Sequence, residues 1–246
     1  MIKAVIFDID NTLYSFDRAH ITAMDALLQY GEKKLDLDSE FIREGLKKTQ
    51  RRIIDRLGTG DSAIHNRLIR FQCFLESLHL DLEKALEMYH VYWDTILNVM
   101  EPEPGVKELI TALLSDGISV GIGSDMTAYI QYKKLLRLGV LKDLSFIVTS
   151  EEAGAEKPSP EFFRLCVEKA GCLPEECAFI GDSLKKDVIG AGDCGLHGIW
   201  YCPEKEGPGE IPGAYPAIRS FKDCLKDGKT VNEIFDRIIQ NKGEKL

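Results

Sequence analysis

The features that most constrain the fold are short apolar runs, each ending in a small or acidic residue. The chain contains five of them, at residues 2–7, 118–122, 146–148, 178–180 and 198–201. Short apolar runs without alternation are typical of strands buried on both faces in a parallel sheet. Segments with helical spacing separate the later runs, at 106–114, 128–138 and 161–170. This order predicts an α/β fold with a doubly wound parallel sheet.

A second pattern occupies residues 15–99, where no strand-like run occurs. Apolar residues recur there every three or four positions, which predicts helices at 20–33, 40–57, 63–78 and 82–97. The separators "LDLDS", "GTGDS" and "HLD" each supply an Asp or Ser that can cap the following helix. We therefore expect an α-helical cap domain at 15–99, inserted into a core formed by residues 1–14 and 100–246. In that core, "PEKEGPGEIPGAYP" is predicted to be an extended surface loop.

Composition limits the partners. The chain has 31 Lys and Arg against 40 Asp and Glu, for a formal net charge of −9. Because the basic residues form no long stripe, we expect no nucleic-acid partner. The apolar runs are far shorter than the roughly 18 residues of a membrane span, so we expect no membrane association and no signal peptide.

Seven cysteines without a CxxC pair argue against a disulfide framework and a zinc knuckle. The expected location is the cytoplasm, and the expected state is a monomer or homodimer.

Two carboxylates, Asp8 and Asp10, follow the first apolar run in "VIFDIDNT". Ligands of an open parallel sheet bind beyond the carboxyl ends of its strands, so both carboxylates are placed to meet a ligand. Paired carboxylates repel each other until a cation or a proton relieves the repulsion. Mg²⁺ suits such a pair, since it takes carboxylate, carbonyl and water oxygens. The structural alternative is a helix cap or a strand-end turn, which Asp and Asn often form.

Polar side chains also follow three further predicted strands. Ser124, in "GIGSDM", offers a hydroxyl beside backbone amides that can hold a phosphate oxygen. Lys157 stands directly before a proline and a helix start, where it can neutralise a phosphate as a point charge. Asp182 and Asp187, in "GDSLKKD", add two more carboxylates. We expect these groups to converge at one edge of the sheet.

Four motifs in this order resemble those of the haloacid dehalogenase (HAD) superfamily of phosphohydrolases. They are "DIDNT", the serine of "GIGSD", the lysine of "KP" and "GDSLKKD", each after a predicted strand. The helical insert also resembles the cap of the subfamily that includes phosphoglycolate phosphatases, nucleotidases, haloacid dehalogenases and sugar phosphate mutases. The resemblance implies a Rossmann-like core and catalysis of phosphoryl transfer.

Carried across residue by residue, the resemblance implies that Asp8 is the nucleophile and forms an aspartyl-phosphate intermediate. Asp10 would act as general acid and then as general base. Ser124 and Lys157 would bind the phosphoryl group. Asp125 stands where family members commonly carry Asn, so we expect its carboxylate to turn away from the phosphate while its amide contributes.

The resemblance also implies a Mg²⁺ site. The ligands would be Asp8, the backbone carbonyl of Asp10, and Asp182. Asp187 would orient waters or Lys157 from outside the ligand set. The dehalogenases that name the family lack an acid at the position of Asp10 and use no metal, so the presence of Asp10 disfavours dehalogenation.

Substrate selection is expected to come from the cap. Charged residues flank the turn "LGTGDS", and two of them, Arg52 and Arg56, are the candidate substrate contacts; the others are Arg51, His65 and Arg67. The alternative is that these side chains form a solvated helix face.

These features favour a magnesium-dependent phosphatase for a small phosphorylated metabolite such as a nucleotide, a sugar phosphate or a phosphoglycolate-like compound. The alternatives are a phosphomutase of the β-phosphoglucomutase type and a non-catalytic binding protein with this fold.

Overall fold

The computed structural model describes residues 1–203, 215–225 and 230–240. Its centre is a parallel six-stranded sheet in the order β3-β2-β1-β4-β5-β6. The strands are β1 (Ala4–Phe7), β2 (Ser119–Ser124), β3 (Phe146–Thr149), β4 (Cys177–Gly181), β5 (His197–Tyr201) and β6 (Ala217–Ile218). The predicted α/β class and doubly wound sheet are confirmed. The two-residue β6 was not predicted, because so short a strand has no apolar run of its own.

Helices flank the sheet and fill the segment between β1 and β2. They are α1 (Phe16–Leu35), α2 (Ser39–Leu57), α3 (Arg67–Ser77), α4 (Glu83–Val99), α5 (Val106–Ser115), α6 (Ala128–Leu138), α7 (Ser150–Ala153), α8 (Pro160–Ala170), α9 (Gly190–Asp193) and α10 (Val231–Gln240). In the described part of the chain, no helix is both long enough and apolar enough to cross a bilayer.

The alternation of side chains along β1 shows why its run is continuously apolar. All four of its residues are fully buried. Val5 and Phe7 point into one hydrophobic cluster, and Ala4 and Ile6 point into a second cluster on the opposite face. Because both faces are covered, no position of the strand can be polar.

One predicted helix is divided in the structure. Residues 63–78 were expected to form a single helix, but Ser62–His65 forms a 3₁₀ turn and α3 begins at Arg67. Asn66 lies between them, and its side chain accepts hydrogen bonds from the backbone amides of Leu68 (3.0 Å) and Ile69 (3.4 Å). An Asn side chain that binds these amides starts a new helix in place of continuing the preceding turn.

The four helices α1–α4 occupy the predicted cap segment, and α1 packs mainly on α4. Their buried residues, such as Phe71, Phe74 and Trp93, belong to the same hydrophobic cluster as Val5 and Phe7 of the sheet. The division into a cap at 15–99 and a core at 1–14 and 100–246 stays a prediction. Most of the predicted surface loop at 203–216 lies outside the described residues.

Candidate active site

The parallel register brings the carboxyl ends of the central strands to one edge of the sheet. Phe7 is paired with Ile122 of β2 and with Ile180 of β4. The residues that follow these positions are therefore neighbours in space. Asp8 lies between the ends of β2 and β4, and the remaining predicted groups surround it.

Asp8 forms a buried ion pair with Lys157. The Lys157 Nζ lies 2.9 Å from Asp8 Oδ1 and 2.7 Å from Asp187 Oδ1, and it donates to the Gly123 carbonyl oxygen at 3.2 Å. The Lys157 and Asp187 side chains are at most 2% exposed. Burial alone acts to lower the pKa of Lys157, but the carboxylates of Asp187 and Asp8 raise it well above its usual range. The lysine is therefore held as a cation between two carboxylates.

The carboxylates outnumber that cation. Asp8, Asp182 and Asp187 each offer one oxygen, and these oxygens all lie within 4.8 Å of one another. Burial raises the pKa of Asp8 to about 7, and the positive charge of Lys157 opposes this rise. Burial and then repulsion from Asp187 raise the pKa of Asp182 to about 6. In the described part of the chain, no donor forms a well-aligned hydrogen bond with the buried Asp8 Oδ1. The cluster has the excess negative charge and the carboxylate oxygens that a divalent cation needs.

Local structure after β4 fixes two of these carboxylates. Asp187 lies in a π-helical turn (Leu184–Ile189), and its Oδ2 accepts from the Ser183 amide at 2.9 Å. A Cβ at Gly181 would lie 2.3 Å from Asp187 Cγ, so glycine is needed there for the carboxylate to approach the strand end. The Asp182 amide donates to Thr12 Oγ1 at 3.1 Å, which ties β4 to the loop after β1.

Ser124 has a partner that the sequence analysis missed. Gln131 on α6 is fully buried, and its Nε2 donates to Ser124 Oγ at 2.8 Å and to the Asp125 carbonyl oxygen at 2.9 Å. The available signal in the sequence was that two polar residues three positions apart, Gln131 and Lys134, lie on the apolar face of α6.

The carboxylate of Asp125 lines the same cavity as Ser124 but is fully engaged. Its Oδ1 accepts from the Lys157 amide at 2.9 Å, and its Oδ2 lies 2.8 Å from Lys186 Nζ. The extra negative charge at this position is thus offset by Lys186, which the sequence analysis also missed.

Asp10 is held by Lys134, a second unpredicted residue of α6. The Lys134 Nζ donates to both Asp10 oxygens, at 2.7 and 2.8 Å, and the Tyr14 hydroxyl donates to Asp10 Oδ1 at 2.6 Å. Lys134 is fully buried, and its Nζ lies 5.1 Å from the centre of the Trp93 ring and 5.6 Å from that of Phe16. Burial lowers the pKa of Lys134, and the carboxylate of Asp10 opposes that shift.

A cavity of about 230 Å³ lies over these groups. The predicted residues Asp8, Asp10, Ser124, Asp125, Lys157, Asp182 and Asp187 all line it. From the helical segment, Phe16, His65 and Arg67 also line it. Arg52 and Arg56 do not: they are exposed positions of α2 outside this lining, so the geometry gives no support to a substrate role for them. His65 Nε2 lies 2.8 Å from Glu156 Oε1, which joins the helical segment to the sheet edge.

The arrangement combines a buried carboxylate, a cation beside it, further carboxylates and an open cavity. This combination is suited to nucleophilic attack on a phosphorus atom, with positive charge supplied to the transferring group.

Comparison with known proteins agrees with this chemistry. The family model described as haloacid dehalogenase-like hydrolase matches residues 2–195. The ribulose-1,5-bisphosphate 5-phosphatase of Halopiger xanaduensis is 33% identical over 210 residues, which cover 84% of this chain and 87% of that protein. The glyceraldehyde 3-phosphate phosphatase of Methanopyrus kandleri is 32% identical over 202 residues, or 80% of this chain and 82% of that protein.

A solved structure shows the same fold. The crystal structure of a HAD phosphatase from Thermococcus onnurineus matches with a TM-score of 0.68 at 24% identity, over 99% of this chain and 100% of that one. The family match, the phosphatase relatives and the carboxylates at the sheet edge all support the same conclusion. This chain therefore belongs to the haloacid dehalogenase-like hydrolase family and is of the phosphatase type.

Proposed function

We propose that the protein is a magnesium-dependent phosphatase that hydrolyses a small phosphorylated metabolite through an aspartyl-phosphate at Asp8. The observation that carries this proposal is the position of Asp8, whose buried carboxylate lies between Lys157 and the carboxylates of Asp182 and Asp187. A purely structural ion pair would not be surrounded by excess carboxylates at the open end of a sheet.

The donor set fits Mg²⁺, which prefers carboxylate and carbonyl oxygens and keeps several waters. Asp8, Asp182 and the backbone carbonyl of Asp10 would hold the ion, and Asp187 would keep Lys157 and the surrounding waters in place. When bound, Mg²⁺ supplies positive charge that neutralises the phosphoryl oxygens and lowers the repulsion met by the attacking carboxylate.

The protein groups divide the reaction into two displacements. An oxygen of Asp8 attacks phosphorus and the bond to the ester oxygen breaks, while Asp10 gives its proton to the departing alkoxide. Asp10 then takes a proton from water, which attacks the aspartyl-phosphate and releases inorganic phosphate and the Asp8 carboxylate. Lys157 and the Ser124 hydroxyl bind the phosphoryl oxygens, with Gln131 fixing the position of that hydroxyl.

Small sugar phosphates are the substrate class that the relatives favour, since those two proteins act on ribulose 1,5-bisphosphate and glyceraldehyde 3-phosphate. The cavity volume of about 230 Å³ is below the roughly 300–1,000 Å³ of sites for drug-sized ligands, which favours a small metabolite. A folded phosphoprotein or a long nucleic acid would not reach Asp8 beneath α1 and α3.

The first test is hydrolysis of p-nitrophenyl phosphate by the purified protein, with Mg²⁺ or with excess EDTA. We expect activity with Mg²⁺, loss of it on chelation, and recovery when Mg²⁺ is restored. Full activity in excess EDTA would overturn the metal assignment, and isomerisation of a sugar phosphate without release of phosphate would identify a mutase.

Asp8→Asn supplies the matching variant. It should abolish both turnover and the acid-stable, base-labile label left by ³²P-substrate, because an amide is not the same nucleophile. Asp55→Asn, an exposed position of α2, is the control and should retain both. Label found on a residue other than Asp8 would contradict the mechanism.

A further inference from the structure

The cavity has an acidic floor and a basic wall. Its carboxylates come from the sheet edge, and of its lining cations Lys157 and Lys186 are each ion-paired with an aspartate there. The remaining cation of the lining is Arg67, which is the first residue of α3. Among the described residues, Arg67 forms no ion pair with a carboxylate; its one hydrogen bond, at 3.4 Å, goes to the His65 carbonyl oxygen.

A second arginine strengthens the positive charge of this wall. Arg70 lies three residues after Arg67 on α3 and therefore on the same side of the helix. Burial, and then the positive charge of Arg67, lowers the pKa of the Arg70 guanidinium to about 9. The Nε atoms of Arg67 and Arg70 are both buried and find no acceptor in the described part of the chain. Neither arginine forms an ion pair with a carboxylate among the described residues, so an anion bound beside Arg67 in the cavity would offset their positive charge.

Aromatic residues hold the Arg67 side chain in position. Its guanidinium carbon lies 5.3 Å from the centre of the Tyr92 ring. The Tyr92 hydroxyl is 2.7 Å from His20 Nδ1, and the His20 ring stacks on Phe16 with 5.5 Å between centres. Phe16 itself lines the cavity. The contact with Tyr92 restricts the Arg67 side chain before a ligand binds, which reduces the entropy lost on binding.

From this geometry we propose that the substrate carries a second anionic group, a phosphate or a carboxylate, and that Arg67 binds this group. Arg70 adds positive charge from the next turn of α3. The inference rests on the proposed function, since Asp8 and Lys157 take the phosphoryl group that is transferred. The acidic floor repels a second anion, whereas Arg67 in the cavity wall offers it charge and hydrogen-bond donors. A substrate with a neutral second end would leave the positive charge of Arg67 without an anionic partner.

The test uses substrate pairs that differ by one anionic group. One pair is ribulose 1,5-bisphosphate and ribulose 5-phosphate, and the other is 2-phosphoglycolate and glycolaldehyde phosphate. We expect a higher kcat/KM for the anion-bearing member of at least one pair. The first pair reports a phosphate at the second position and the second pair reports a carboxylate.

The Arg67→Gln variant should lower that preference roughly 10-fold to 100-fold, mainly through KM, because a charge-assisted contact of about 1.5–3 kcal/mol is lost. Arg67→Lys should retain part of it, since it restores the charge without the planar donors. Arg70→Gln should have a smaller effect of the same sign. The control is Arg164→Gln, an exposed arginine of α8 whose loss should leave the preference unchanged.

The outcomes separate the two proposals. If the wild-type protein does not hydrolyse p-nitrophenyl phosphate with Mg²⁺, the proposed function itself is wrong. If it does so but shows no preference in either pair, or if a folded Arg67→Gln variant keeps the wild-type preference, the anion subsite alone is refuted. Circular dichroism and the unfolding temperature establish that each variant is folded.

Discussion

Two buried lysines neutralise the two aspartates of the "DID" motif, and they do so from different parts of the chain. Lys157 binds Asp8 from the loop before α8, and Lys134 binds Asp10 from α6. Removing a charge from water is costly unless a partner with good geometry replaces the solvent. Each lysine meets that condition, so each aspartate is kept in one position before substrate arrives. For Asp10, this position also includes the Tyr14 hydroxyl.

We expect Lys134→Met to lower kcat roughly 10-fold to 100-fold, within the range that general acid and base catalysis contributes. The methionine fills the space between Trp93 and Phe16 but leaves Asp10 without its cation. KM for p-nitrophenyl phosphate should change little, because the proposed phosphate-binding residues Lys157 and Ser124 are unchanged. Steady-state kinetics measure the difference.

The matched control is Lys133→Met on the same helix, where the side chain is 34% exposed. It should behave as the wild type. Tyr14→Phe removes only the second contact of Asp10 and should give a smaller decrease in kcat. An unchanged kcat in a folded Lys134→Met variant would show that Lys134 does not position Asp10.

At the scale of elements, α6 and α3 each present a functional face. Gln131 and Lys134 are three positions apart on α6, so they lie on one side of the helix and reach Ser124 and Asp10. On α3, the position of Arg67 depends on where the helix begins. The Asn66 cap sets that beginning and separates α3 from the 3₁₀ turn that carries His65.

Asn66→Ala should therefore lower the free energy of unfolding by about 1 kcal/mol, the usual cost of losing a helix N-cap. Asn66→Ser keeps a side-chain oxygen that can accept from the same amides, so it should retain most of the stability. Urea unfolding followed by circular dichroism measures both. Equal destabilisation by Ala and Ser would mean that the cap hydrogen bonds contribute little.

At the scale of the whole molecule, folding gathers carboxylates from distant parts of the chain at one sheet edge. Asp8, Asp182 and Asp187 are brought within reach of a single ion, in a protein whose net charge is already −9. Their repulsion and burial oppose folding of the metal-free protein. A bound cation removes that opposition, and its binding free energy adds to stability.

A pH dependence follows from the raised pKa of Asp8. Burial raises the pKa of Asp8 to about 7 in the folded, metal-free protein, against the opposing charge of Lys157, whereas its ordinary value when unfolded is about 3.9. Between those values the folded state binds more protons, so the unfolding free energy falls as pH rises. We expect wild type to lose about 1–3 kcal/mol more than Asp8→Asn between about pH 4.5 and 7.5, since Asn does not titrate.

Chemical denaturation at several pH values in EDTA measures this difference. Adding Mg²⁺ at about 100 times its Kd should return about 2.7 kcal/mol to the wild type at neutral pH. The same stability at every pH in wild type and Asp8→Asn would contradict the proposed burial of an excess carboxylate.

The sequence by itself determined the sheet and the groups at its edge. Each strand and the polar residue after it are adjacent in the chain, and a parallel sheet aligns the ends of its strands. Asp8, Ser124 and Asp182 stand at strand ends and were therefore predictable as cavity residues from local patterns. Lys157 lies eight residues beyond β3 and was predicted from its place before a proline and a helix start. The doubly wound fold followed from the alternation of apolar runs and helical segments, and the family followed from the motifs.

Only the tertiary structure decided which residues outside the motifs contact the strand-end groups or line the cavity with them. Lys134 lies 124 positions from Asp10, and Arg67 lies on a different element from every aspartate of the cavity. No spacing rule connects such pairs, because helix packing sets their distance and a basic residue on a helix is usually exposed. Arg52 and Arg67 have the same chemistry, and the helix break at Asn66 and the packing of α3 on α4 place Arg67 in the cavity. The residues that the helical segment contributes to the cavity therefore depend on packing, while the strand-end groups depend on local sequence.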